Sequence, residues 1–114
     1  MNTDAIKALL ERVNKAEQDT DLGIEINEAL GVASYITAEG DPTTSTDAAL
    51  WLTKQVYPDV IWFLEDGGDS DHGCTLVFGE GDRINGDWIV GQPCWAILHA
   101  LLNAVIQKQI EAAA

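Results

Sequence analysis

Between Glu65 and Cys74 the chain gathers residue types that bind cations: Glu65, Asp66, Asp69, Asp71, His72 and Cys74, loosened by Gly67, Gly68 and Gly73. Clustered carboxylates are the ligands of a hard cation such as calcium. In an EF-hand frame Asp69 and Asp71 fall at positions 1 and 3, and Glu80 at position 12. The frame then fails, because position 5 is Gly73 and position 6 is Cys74, where a ligand and then glycine are required. The flanking sequence reads as strand, not helix. A looser oxygen site would draw on Asp66, Asp69 and Asp71. The stronger reading of the segment is a solvated connection between two strands.

Softer ligands lie close by. His72-x-Cys74 with Pro93-Cys94 resembles part of the zinc deaminase pattern, but Cys74 stands where the general-acid glutamate belongs and Ile97 where the second cysteine belongs. A zinc site of another kind, from His72, Cys74, Cys94 and His99, has suitable ligand types. On one helix, however, Cys94 and His99 point roughly 140° apart. Nucleophilic catalysis needs a serine or cysteine with a base in reach. Ser45 and Asp47 are accounted for by helix capping, and no histidine is near them in sequence. Gly79, Gly81 and Gly86 form neither a dinucleotide nor a P-loop fingerprint and read as turn residues. The expectation is a protein without catalysis, cofactor or resident metal.

The charge decides which partners are reasonable. The 114 residues carry a net charge of −13 with only six cations. None lies between Lys15 and Lys54, between Lys54 and Arg83, or between Arg83 and Lys108. Phosphate backbones and anionic lipids are bound by clustered Lys and Arg, so direct nucleic-acid and membrane-surface binding are not expected. A basic protein partner, or self-association, is. The start of the chain lacks the basic and apolar regions of a signal peptide, no apolar run reaches spanning length, and two cysteines are too few for a disulfide scaffold. These features suggest a cytoplasmic protein with reduced thiols and one domain over residues 1–114.

The elements that would position these residues follow from apolar periodicity. Ile6, Leu9, Leu10 and Val13 predict a helix over 4–17, opened by Thr3 as N-cap. Leu22, Ile26, Ala29 and Leu30 predict a second over 20–30, stopped by Gly31. Residues 32–37 read as a short strand and 39–42 as a turn. Thr44-x-x-Asp47 opens a third helix, which Pro58 prevents from continuing. Val60 to Leu64 is apolar on both alternating faces, a pattern that asks for cover on both sides. Residues 74–78 repeat it, and Trp88-Ile89-Val90 makes a third strand after a hairpin-type Asn85-Gly86. A last helix over 93–110 is apolar nearly all round, with His99, Asn103 and Gln107 as one polar stripe and His99 as a surface or boundary residue. The implied class is α+β, a helix–sheet–helix (α/β/α) sandwich around a small, largely antiparallel meander of three to four strands.

Three segments resemble the phage ABA sandwich domain family. They are Asp21-Leu22-Gly23-Ile24-Glu25-Ile26, then Thr43-x-Ser45-x-Asp47-Ala48-Ala49-Leu50, and Pro93-Cys94-Trp95-Ala96-Ile97-Leu98-His99-Ala100-Leu101-Leu102. The order and spacing of all three carry the resemblance over nearly the whole chain. Pro42, where the family often has tyrosine, Cys94, and the acidic insert at 66–71 depart from it. The resemblance implies a helix–sheet–helix sandwich, a phage or prophage origin, and cap and packing roles for Thr43, Ser45 and Asp47; it implies no activity. The functional expectation is a small acidic accessory protein acting as a structural or interaction module. The alternative is an acidic mimic of nucleic acid that inhibits a basic host protein. Candidate interaction residues are Glu65, Asp66, Asp69 and Asp71, with Trp51 and Trp88 should they lie on the surface.

Overall fold

The computed structural model describes residues 3–17, 21–32, 40–66, 71–79, 81–86, 89–90 and 92–113. The stripe Ile6, Leu9 and Val13 is buried along α1 (Thr3–Asn14). This helix stops short of the expected Glu17 because the chain turns left-handed at Ala16, with φ 48°. Glu17 N–H donates to the Arg12 carbonyl and Ala16 N–H to that of Val13, the paired bonds of a Schellman stop. Thr3 joins the helix instead of preceding it, and its hydroxyl donates to Gln109 far along the chain. The second helix, α2 (Leu22–Ala29), ends in the same device. Here the left-handed residue is Gly31, as expected, and Val32 N–H reaches the Asn27 carbonyl. The strand expected over 32–37 falls almost wholly outside the described residues.

Ser45 caps α3 (Thr46–Val56), its hydroxyl oxygen accepting from Ala48 N–H at 3.2 Å. The cap is thus one residue later than the Thr44 opening expected. Thr44 belongs to the preceding turn, where its N–H donates to the Asp41 carbonyl. That turn is fixed by Asp41, whose Oδ1 accepts from Thr43 N–H at 2.9 Å and from Thr43 Oγ1 at 2.8 Å.

Four strands follow: β1 (Ile61–Asp66), β2 (Asp71–Val77), β3 (Arg83–Asn85) and β4 (Ile89–Val90). The order is β1-β2-β3, all antiparallel, with β4 also on β2. Asn85-Gly86 does not make the expected hairpin turn. Arg83 pairs with Val77 and Asn85 with Thr75, whereas Ile89 pairs with His72, so the register slips by one residue between β3 and β4. Both strands pair with β2, with residues 87 and 88 between them outside the described residues. Gly86 is needed there because a β-carbon would stand 2.9 Å from the Ala96 carbonyl oxygen and 2.9 Å from the Ala100 nitrogen.

Those alanines belong to α4 (Pro93–Ala113), the helix on which the rest is built. Every residue from Cys94 to Leu102 is buried, as are Ala104, Val105 and Ile106. The helix packs on β2 and β3 and also on α1 and α3, so it is enclosed. His99, expected at the surface or its boundary, is therefore only 5% exposed. Asn103 is half-buried and donates to the Asn85 carbonyl at 3.2 Å, leaving Gln107 as the exposed member of that stripe. Near the end of α4, Lys108 lies 4.4 Å above the Phe78 ring, which meets Tyr57 edge-on.

The chain is thus α+β, with helices before and after a small antiparallel sheet, the helix–sheet–helix class that the sequence implies. Among the described residues, however, helical cover lies on one side. Cys74, Leu76 and Ile84 are buried toward α4, while Ile61 and Phe63, on the opposite face, are 59% and 51% exposed.

Candidate functional site

The open face is built from cross-strand pairs. Side chains alternate along a strand, and residues directly opposite share a face. Ile61 stands opposite Val77, Phe63 opposite Thr75, and Glu65 opposite Gly73; Thr75 and Val77 in turn oppose Asn85 and Arg83. One end of this face is apolar, with Ile61, Phe63 and the half-buried Val77. The other end is a polar hollow of about 230 Å³ lined by Glu65, Gly73, Cys74, Thr75, Asn85 and Gly86. Gly73 adds no side chain to it. Thr75 Oγ1 donates to Asn85 Oδ1 at 2.8 Å, so the hydroxyl oxygen and the Glu65 carboxylate remain as acceptors.

Strand β1 is also the edge of the sheet, hydrogen-bonded to β2 alone among the described residues. Trp62, on its inner face, is still 37% exposed, and Leu64 packs partly on the core. Asp59 precedes the apolar run and Glu65 and Asp66 end it, and all three are exposed. Charges at the ends of an exposed edge strand are a common protection against uncontrolled pairing.

The residues singled out from sequence divide differently. Glu65 belongs to this surface. Asp66 ends β1 opposite His72 and Asp71 begins β2, so both ends of the acidic insert are strand, and residues 67–70 lie outside the described residues. Asp69 and Trp88 lie outside the described residues. Trp51 is half-buried, packed on the core from α3. Among the described residues, no group of three or more His, Cys, Asp or Glu side chains is placed to hold a metal ion. Cys74 and Cys94 are buried free thiols, pushed up by burial to about 12 and about 11. Thiols so protonated are poor nucleophiles and poor ligands at neutral pH.

Ile61, Trp62 and Phe63 were not singled out, because a run apolar on both faces reads as a buried strand. The distinguishing signal was the acidic residue at each end, a mark of a protected edge. A larger groove of about 490 Å³ runs between α1 and α2, lined by Ala5, Ala8, Leu9, Arg12, Glu25, Glu28 and Ala29. The Arg12–Glu25 ion pair at 2.6 Å ties its two walls together, so it is the weaker candidate.

Electrostatics reinforce the acidic character of the surface. Arg12 is held by Glu17 and Glu25, and Lys108 by Asp82 and Glu111. Lys54 donates to the carbonyls of Pro58 and Val60. Half of the six cations are therefore engaged within the fold. Among the described residues, no helix is long and apolar enough to cross a membrane. No family model, curated protein or solved structure matches this chain, so the site is read from its own geometry.

Proposed function

We propose that this protein is a non-catalytic interaction module that binds a protein partner through β1, acting in the cytoplasm as a small phage or prophage accessory protein. The observation that carries the reading is the contiguous exposure of Ile61, Trp62 and Phe63 on the edge of the sheet. A monomer gains nothing in stability from three large apolar side chains in water, whereas a partner that covers them gains their burial. The buried, protonated thiols suit a reducing compartment.

The test compares immobilised wild type with an Ile61→Thr/Phe63→Ser variant as baits for host proteins. Both positions are exposed, so the fold should survive, and circular dichroism checks that it does. The reading expects a protein held by wild type to be lost from the variant. Equal retention by both would sink it.

Nucleic-acid mimicry is the competing reading, favoured by the net charge of −13 and by three of the six cations being engaged within the fold. A mimic would hold its partner through carboxylates. Binding would then survive the apolar substitutions and fall steeply with salt.

A further inference from the structure

We infer that β1 is completed by an added strand, and that the incoming segment carries a basic pair at one end of an apolar run. This rests on the reading of β1 as the binding surface and names the chemistry of what binds. Edge strands recruit extended segments through main-chain hydrogen bonds, while alternate side chains set specificity. The side chains offered along β1 are unambiguous in order: Ile61, Trp62, Phe63 and Leu64, then Glu65 and Asp66. An antiparallel segment, the more stable arrangement, would meet them in reverse. Its first two residues face Asp66 and Glu65, and the next four face apolar side chains. Lys or Arg opposite Glu65 would lie on the outer face beside the hollow, where the Glu65 carboxylate and the Thr75 hydroxyl oxygen can accept from it. A cation following the apolar run would meet Asp59.

A second copy of the chain fits this edge poorly. Antiparallel pairing of β1 with itself about Trp62 puts Asp59 opposite Glu65, twice by symmetry. Pairing about Phe63 and Leu64 puts Glu65 and Asp66 opposite Trp62 and Ile61. Each register either opposes like charges or sets a carboxylate against an apolar side chain, and both are destabilising. The charge of −13 on each copy adds general repulsion.

The experiment is a titration of the full-length ¹⁵N-labelled protein with synthetic peptides, followed by amide shifts. The probe is Lys-Arg-Val-Tyr-Val-Thr-Val-Lys, the first control has Glu-Glu for Lys-Arg, and the second has the probe's residues in reverse order. The inference expects saturable shifts centred on residues 61–66, at least tenfold weaker with the Glu-Glu peptide and with a Glu65→Gln/Asp66→Asn variant. The reversed peptide should bind more weakly than the probe. Equal binding of the acidic control, or shifts centred elsewhere, would overturn it. So would concentration-dependent shifts at β1 without peptide, which would identify a second copy as the occupant. If no peptide binds while the Phe63→Ser substitution still abolishes capture of a host protein, strand addition is wrong and the interface reading stands. If neither effect is seen, both fall.

Discussion

Gly86 and Ala96 are packed backbone to backbone: the glycine that follows β3 sits where a β-carbon would stand 2.9 Å from the Ala96 carbonyl oxygen. No side chain fits there without moving β3 away from α4. Gly86→Ala is expected to destabilise the protein by about 1–3 kcal/mol, the usual cost of overfilling a packed site. Urea denaturation of wild type and variant measures it. A shift within error would mean that the strand and helix separate more easily than this contact allows.

A substitution at Ala16 should act in the opposite direction. It holds a left-handed conformation, φ 48°, that costs a residue with a β-carbon about 1 kcal/mol. Ala16→Gly relieves that strain while keeping the Schellman bonds to Val13 and Arg12. The net gain, after the greater entropy loss of glycine, is expected to be about 0.5 kcal/mol. A lower denaturation midpoint in the variant would contradict the reading.

Gly23 and Asp41 form a coupled pair. The Asp41 carboxylate lies where a side chain on Gly23 would go, and it is also the acceptor for both donors of Thr43. Gly23→Ala should displace Asp41 and break the turn before α3, at a cost of about 1–3 kcal/mol. Asp41→Ala should cost about 1–2 kcal/mol through the lost hydrogen bonds. Because the first change acts through the second residue, the double variant should cost less than the sum. Strict additivity in the four-protein cycle would show that the two residues do not communicate.

The buried thiols give stability a defined pH dependence. Cys74 and Cys94 have folded-state values raised to about 12 and about 11 from an ordinary value of 9.0. Below pH 9 they are protonated whether the chain is folded or not, so they add no slope. Above it the unfolded chain releases protons that the folded chain keeps. Stability should fall by about 1.4 kcal/mol per pH unit for each thiol until the folded group itself ionises. Tyr57, raised by burial against the opposing pull of Lys108, adds to the decline at higher pH. Urea midpoints from pH 7 to 11 would measure this, and Cys74→Ala should remove one thiol's share of the slope. A thiol reagent at pH 7 should find neither cysteine until urea is added.

Much of the framework was legible because it depends on apolar spacing. The Ile6, Leu9, Val13 stripe, the Gly31 stop and the all-round apolar pattern of the last helix each determine an element by local chemistry. The misreadings share a different cause. Ala16 ends α1 although alanine is the best helix former, because tertiary packing sets where the chain turns. Asn85-Gly86 has the composition of a hairpin, but the glycine answers to α4, some ten residues further along. His99 lies in a polar stripe by sequence and in the interior by packing. For the site, Glu65 and the acidic ends of β1 were legible as charges. Whether Ile61 and Phe63 face a helix or water depends on which elements cover the sheet, and no local pattern encodes that.

The enclosure of α4 by everything else also has a consequence in time. During synthesis, α1, α3 and the whole sheet are translated before the helix they rest on. Thr3 must wait for Gln109, 106 positions later. At roughly 5–20 residues per second that delay is about 5–20 s. For that interval the apolar stripes of α1 and α3 lack the helix that covers them in the folded chain. The excess of carboxylates along the chain gives each nascent copy a net negative charge, and like charge opposes contact between neighbouring copies over that interval.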